Sequence, residues 1–548
     1  MTRRLSPSTT TGYSDFGRAR DVLGWVVLWL VLIIVAVATR PLLPLIETRS
    51  LAVAWEMWRA GEFLVPQLNG EPYSHKPPLL LWLIHLGWWL LGVNEWWPRV
   101  VAPLAALGTV ALTYRLGRRL WPEHAEAAAL APWILAGGWL WAVMGTMTMY
   151  DVLVAFCAVL AISGLWSASH GRVLGWLWFG LGIGLGVLAK GPVILVFTLP
   201  ALVLTPWWCA ARPAGGWRRW SFGALGGVAL GAGLGLAWAL PAADAGGEAY
   251  GAALLWGQTS GRIVSSFAHE RPFWWYVVLS PLLLSPWLAW PSLWRATRGG
   301  KALGRDPGLR LALGWLVAGV VILSLVSGKQ PHYLIPLLPA FALVVARRIA
   351  GQATTSRWPQ IVPGSIAVGL GIVLVGAILG PDVGIGTPDW MGEIPAYVPL
   401  LLAGLGIAVL VARARPAVVA RVLAVQAAAV VIVIHLFVMP VAAPLYDVRS
   451  AAMLMHEWQA AGEPLAFIKT YHGQFHFIGR LEHPIEEIGT DQADEWVLAN
   501  PTGRVIALHR PDALPEPGVA PVYLGPFRGK VLAIWNAEAV RADPEMFR

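Results

Sequence analysis

The chain has 548 residues, of which 57% are hydrophobic and only 13% charged, with a mean hydropathy of +0.60. A soluble domain carries roughly 25% charged residues, so this composition describes a polytopic membrane protein. The formal net charge of +9 comes mostly from arginines in short loops and reports orientation and anionic lipid, and no nucleic acid partner is expected.

Residues 1–21 contain arginines but no small-residue cleavage site, so the apolar run at about 22–45 is read as a retained first span. The run at 79–92 is short and carries His85, and as a true span it would turn Arg115, Arg118 and Arg119 outward and invert every later basic loop. It is therefore expected to be an interfacial or re-entrant helix. The remaining spans fall near 99–117, 125–145, 150–168, 173–189, 191–210, 221–243, 273–294, 310–327, 331–347, 360–380, 396–412 and 417–440, about thirteen in all. Juxtamembrane Lys and Arg resist translocation, so the arginine-rich loops at 115–119, 172, 212–219, 295–310, 347–357 and 413–415 are assigned to the cytoplasm. The loops at 46–98, 146–150, 189–192, 244–272, 328–332 and 381–395 then face outward. Cys157 and Cys209 sit far apart in apolar runs and suggest neither a disulfide framework nor a cysteine metal site.

After about residue 443 the charged and polar residues return and no span-length run remains. Arg449–Ala461 has helical spacing and ends at Gly462. Leu465–Tyr471, Gln474–Arg480, Val505–Arg510 and Val531–Asn536 read as short strands. The expected organisation is a membrane domain over 1–442 and an α/β exoplasmic domain over 443–548, large enough to bury its own core.

The first 440 residues hold only four lysines, and three of them, Lys76, Lys190 and Lys329, fall on the outer face, each just before or near a proline. A cation kept at the end of an apolar run is costly, and snorkelling explains one such lysine better than three, so these are candidate anion-binding groups. Arg49, Tyr73, Arg262, Arg271, His332 and Tyr333 share that face as candidate phosphate or head-group contacts; solvated loop charges and an ordinary aromatic belt are the alternatives. Glu47 and Asp151 are the candidate catalytic carboxylates. Glu47 also suits an interfacial carboxylate paired with Arg49, and Asp151 a helix N-terminal charge. His75 and His269 are candidate metal ligands, although two histidines make no ligand set. No Walker loop or Rossmann glycine fingerprint is present. A carboxylate pair and several cations at the outer face suit attack of an acceptor hydroxyl on a sugar carried by a lipid phosphate, the carboxylate taking the proton and the cations stabilising the leaving phosphate.

GluThrArg (47–49) followed by the stretch 54–78 ending in HisLysProPro resembles the first outer loop of the aminoarabinose transferase branch of the bacterial C-type glycosyltransferases, which are related to the protein mannosyltransferases. LeuAlaLysGlyPro (188–192), HisGluArgProPhe (269–273) and the stretch 329–340 match the same pattern. The resemblance implies a C-type membrane fold, a polyprenyl (undecaprenyl) phosphate sugar donor, phosphate binding by Lys76 and an acidic role around Glu47 and Asp151. It also implies a bacterial inner-membrane location, with lipid A, protein or another exoplasmic molecule as acceptor. Two departures matter: the family's Asp–Glu pair is here Ile46–Glu47, and the acidic residue before the motif lysine is here His75. In relatives that acidic position and the histidine matching His269 lie at a metal site, so a divalent metal stays open as a cofactor. Protein O-glycosylation and a lipid-phosphate transporter or flippase remain alternative readings.

Overall fold

The computed structural model describes residues 15–209, 211–261, 270–297, 306–353, 356, 358–380, 387–514, 520–543 and 547. Eight helices among them are long and apolar enough to cross a membrane: Ala19–Thr39, Trp96–Leu120, Tyr150–Ser169, Gly216–Ala245, Pro307–Leu325, Pro331–Ile349, Trp358–Leu379 and Pro416–Leu445. Shorter apolar helices, among them Ala125–Ala136, Leu174–Lys190, Ile194–Val203 and Val398–Val411, pack with them. The chain is a multi-pass helical membrane protein, but the count of thirteen full spans is not reproduced. The expected span at 273–294 is a nine-residue helix, Trp275–Leu283, followed by turns and a cis Ser285–Pro286 bond. Nine residues rise only about 14 Å, well short of a hydrocarbon core of about 30 Å.

The elements that build the candidate site come early. Helix α1 (Asp15–Thr39) is followed by a tight turn, then α2 (Thr48–Ala60), which Gly61 ends in the left-handed conformation at φ 67°. AsnGly (69–70), with φ of 57° and 79°, closes a small hairpin between β1 (Gln67–Leu68) and β2 (Glu71–Pro72), as such dipeptides do. Helix α3 (Leu79–Leu91) has 13 residues, too few to span. Its Leu80, Leu81, Ile84 and Trp88 are buried, while Leu86, Trp89, Leu90 and Leu91 at its far end are exposed, the pattern of a helix lying at an interface. Helices α4 (Trp96–Leu120), α5 (Ala125–Ala136) and α6 (Trp139–Met144) lead to α7 (Tyr150–Ser169) and α8 (Leu174–Lys190).

A short turn joins α7 to α8, so they run antiparallel. Their glycines let the backbones touch: a Cβ on Gly164 would lie 2.5 Å from the Gly175 carbonyl oxygen. Close small-residue packing of this kind is how helices associate where lipid offers no hydrophobic drive. One consequence is functional. The first turn of α7, with Asp151, meets the last residue of α8, Lys190.

The tail forms a five-stranded sheet in the order β4-β3-β5-β7-β6, from β3 (Leu465–Ile468), β4 (Glu486–Ile488), β5 (Arg504–His509), β6 (Tyr523–Phe527) and β7 (Lys530–Asn536). β3 runs parallel to β4 and β5, and β7 antiparallel to β5 and β6. The helix Arg449–Ala460 stands where the spacing placed one. The expected strand Gln474–Arg480 is instead a run of turns. There the Tyr471 hydroxyl accepts from the Phe475 amide (3.0 Å) and bonds His476 Nδ1 (2.8 Å), so local side-chain bonds replace a ladder. The tail is bound to the first loop: Trp55 Nε1 donates to the Leu481 carbonyl, Asn69 exchanges two hydrogen bonds with Ile485, and Trp88 stacks on Phe477 at 5.4 Å.

Candidate active site

Asp151 is the centre of the arrangement. It is 5% exposed, and Lys190 Nζ reaches both its oxygens, at 2.6 and 2.7 Å. His332 Nε2 stands 3.9 Å from the second oxygen, and Lys76 also acts on the carboxylate electrostatically. The Lys190 ammonium lies over the Tyr333 ring at 4.8 Å, and the Lys76 ammonium over the Tyr150 ring at 5.7 Å. Both contacts hold a cation against an aromatic face, which orients it. Tyr150 hydrogen-bonds Ser50 of α2, and Arg49 acts on it electrostatically. Tyr73 packs its ring against His75 at 5.2 Å. Asp151, Lys190, Lys76, His332 and Tyr333, together with Arg49 near Tyr150, thus gather at one end of the bundle.

Three sequence candidates behave differently from expectation. Glu47 is completely buried and saturated. Its oxygens accept from Arg40 twice (2.5 and 3.1 Å), from the Leu43 amide (3.1 Å) and from the Thr148 amide (2.9 Å), which occupies the roughly four lone-pair sites a carboxylate offers. Burial pushes its pKa up, but the Arg40 charge and these bonds outweigh that and hold it below the ordinary carboxylate range. It does not pair with Arg49. Leu45, held in the left-handed region at φ 70°, makes the turn that points Glu47 inward, while Ile46 stays 45% exposed. Lys329 is also turned into protein, 3% exposed, its ammonium donating to the carbonyls of Val326 (2.5 Å), Arg271 (2.9 Å) and Ser327 (3.4 Å). Arg271 is exposed, and its amide donates to the Ser327 carbonyl.

His75 is exposed; His269 and Arg262 lie outside the described residues. Among the described residues no three His, Cys, Asp or Glu side chains form a cluster able to hold a metal ion. His75 supplies one imidazole where a protein metal site needs three or four ligands, so the described residues do not fit one.

Sequence reasoning missed Arg40, Arg99, Tyr150 and Tyr276. The hydroxyl of buried Tyr276 donates to the Gln330 carbonyl at 3.1 Å and so fixes the segment that carries His332 and Tyr333. Arg40 and Arg99 were visible as charges at the ends of apolar runs, the usual mark of a purposeful ion near a membrane.

The described residues thus form a helical membrane bundle with an ion-paired carboxylate and basic side chains at one end, followed by a tail with a five-stranded sheet. Residues 75–232 match the family described as dolichyl-phosphate-mannose-protein mannosyltransferase. The chain is 29% identical over 353 residues to the undecaprenyl phosphate-alpha-4-amino-4-deoxy-L-arabinose arabinosyl transferase of Edwardsiella ictaluri, covering 61% of each, and 31% identical over 318 residues to that of Pseudomonas aeruginosa, covering 55% of each. It therefore spans somewhat over half the length of these relatives. Across nearly the whole chain it superposes on the crystal structure of ArnT from Cupriavidus metallidurans in the apo state, with a TM-score of 0.73 at 21% identity over 94% of this chain and 99% of that one. The same protein bound to undecaprenyl phosphate matches with a TM-score of 0.70 at 20% identity, over 94% and 97%. The chain has the fold of the C-type membrane glycosyltransferases, and the resemblance to their aminoarabinose transferase branch read from its motifs is borne out.

Proposed function

We propose that this chain is a membrane glycosyltransferase that moves a sugar from a polyprenyl phosphate to an acceptor outside the cytoplasm, aminoarabinose to lipid A being the specific reading. The observation that carries it is the grouping of Asp151, Lys190, Lys76 and His332 at one end of the bundle. Arg49, Lys76 and Lys190 bring basic side chains to the end of the bundle that holds Asp151, a grouping that suits a phosphate donor. The names of the relatives, which specify undecaprenyl phosphate and aminoarabinose, support the same substrate class.

In this reading the acceptor oxygen forms a bond to the anomeric carbon as the bond from that carbon to the phosphate oxygen breaks. Lys76, steadied on Tyr150, stabilises the phosphate as it leaves with the polyprenyl chain. Asp151 takes the acceptor proton. Lys190 donates to both oxygens of Asp151 and so fixes the carboxylate where it meets the acceptor. Glu47, saturated by Arg40 and two amides, has no lone pair to offer and is assigned away from that role. His332 and Tyr333 position the acceptor or the sugar, and Lys329 fastens the 270–272 loop to the segment before them. Residues 1–442 form the catalytic membrane domain, and 443–548 a periplasmic domain that covers the first outer loop, in the inner membrane of a bacterium.

A purified assay with a polyprenyl-phosphate sugar donor tests this. Lys76→Ala removes a charge-assisted contact of about 1.5–3 kcal/mol, which is roughly a tenfold to hundredfold loss of transfer. Lys76→Arg restores part of it, because a planar fork replaces a compact ammonium poorly. Full transfer by a well-folded Lys76→Ala variant would remove the phosphate role.

A further inference from the structure

The geometry points to Arg40 as a positioning residue for the catalytic carboxylate: we infer that Arg40 and Glu47 form a buried clamp on the turn that aims Asp151. The inference rests on the reading of Asp151 as the base.

The clamp is built by the end of the first span. Arg40 follows the last residue of α1, and Pro41 prevents the helix from continuing. The left-handed Leu45 then folds the chain back, with Glu47 accepting from the Leu43 amide, so Arg40 and Glu47 face each other with 3% and 0% exposure. Both partners also reach across to the 146–149 turn. Arg40 donates to the Thr146 carbonyl at 3.3 Å, and Glu47 accepts from the Thr148 amide at 2.9 Å. The two bonds thus grip the backbone on either side of Met147, and Tyr150 and Asp151 open α7 directly beyond it. The grip does not stop at Arg40. Arg99 donates to the Arg40 carbonyl and lies 3.8 Å from Glu95, which pairs at 2.5 Å with Arg449 in the first helix of the tail. Arg40 also acts electrostatically on Arg99 and His435. These two bonds tie the pair to the backbone just before Asp151, so a change in the pair is carried to the start of α7.

The test uses the full chain, purified in lipid, with separate measurement of kcat, KM for a polyprenyl-phosphate sugar, the pH profile and the melting temperature. Replacing both charges, in Arg40→Met with Glu47→Leu, leaves no orphaned ion. That double variant is expected to lose about tenfold to hundredfold in kcat, the scale of a misplaced reacting group, with KM within about threefold of the parent. Glu47→Gln is expected to lower kcat while keeping the acidic limb of the pH profile, because Asp151 still titrates. Arg40→Lys keeps the charge without the fork and should recover part of the rate. A folded double variant with parental kcat would overturn the inference, and so would loss of the acidic limb in Glu47→Gln, which would make Glu47 the base. Should the double variant fail to fold, Glu47→Gln and Arg40→Lys carry the same decision. Parental kcat in Asp151→Asn would instead overturn the assignment of the base and leave the geometry of the clamp untouched.

Discussion

Replacing Lys190 with methionine removes an ammonium that reaches both oxygens of Asp151, at 2.6 and 2.7 Å, in a pair whose side chains are 14% and 7% exposed. Breaking a buried pair by deleting one partner costs about 3–5 kcal/mol, because the other charge is left uncompensated. His332 at 3.9 Å and Lys76 remain near the carboxylate, which puts the expectation at the lower end, about 3 kcal/mol. Asp151 then either takes up a proton or moves to another cation, and in both cases the base is lost. Turnover should fall by roughly 10²–10⁴, as for Asp151→Asn. The double variant Asp151→Asn/Lys190→Met separates the two effects. With both charges gone, stability should return to within about 1 kcal/mol of the parent while turnover stays low, so the double variant loses much less than the two single variants added together. Thermal melts and single-turnover transfer on the four proteins of the cycle measure both quantities. Additive stabilities, or parental turnover in Lys190→Met, would refute the reasoning.

Reporter fusions after residues 120, 215, 300 and 352 should read cytoplasmic and those at 255 and 460 exoplasmic; a cytoplasmic tail would reverse the layout. Lys329→Met should lower the melting temperature and loosen protease protection around residue 271 with little change in donor KM, whereas a large rise in KM would return Lys329 to phosphate binding. Burial holds the His476 pKa down at about 3, against 6.5 in an ordinary histidine. The unfolded chain therefore binds the extra proton first, and the contact between tail and first loop loses stability as pH falls from about 6.5 towards 3. At pH 5 the loss is about 2 kcal/mol, partly offset by Glu56, whose pKa burial raises. His476→Gln should flatten that slope in melts taken between pH 7 and 5, and an unchanged slope would assign it elsewhere.

Much of this was legible in the chain. Apolar length located the eight membrane-length helices, and alternation of the spans led to the expectation that Asp151, Lys190 and Lys76 share an end, where the structure has them. What sequence could not show was the direction of short-range backbone. Glu47 looks like a carboxylate presented at a span end, but the left-handed Leu45 turns it onto Arg40. Lys329 looks like its two fellow lysines, yet carbonyls of its own turn and of Arg271 accept its hydrogen bonds. In the tail, β4 is a three-residue acidic edge and β6 contains Gly525 and Pro526, so neither carries the alternation of a strand; such residues are tolerated because both lie at edges of the sheet. The span expected at 273–294 had the length and apolarity it needed, but its helix ends at Leu283 and turns follow over 284–289.

The most direct measurement is the lipid A and glycan mass spectrum of a strain lacking this chain, complemented with the parent or with Asp151→Asn. Restoration of an aminoarabinose adduct on lipid A by the parent and not by Asp151→Asn is the predicted result. An unchanged lipid A and glycan profile on deletion, or full restoration by Asp151→Asn, would contradict the account.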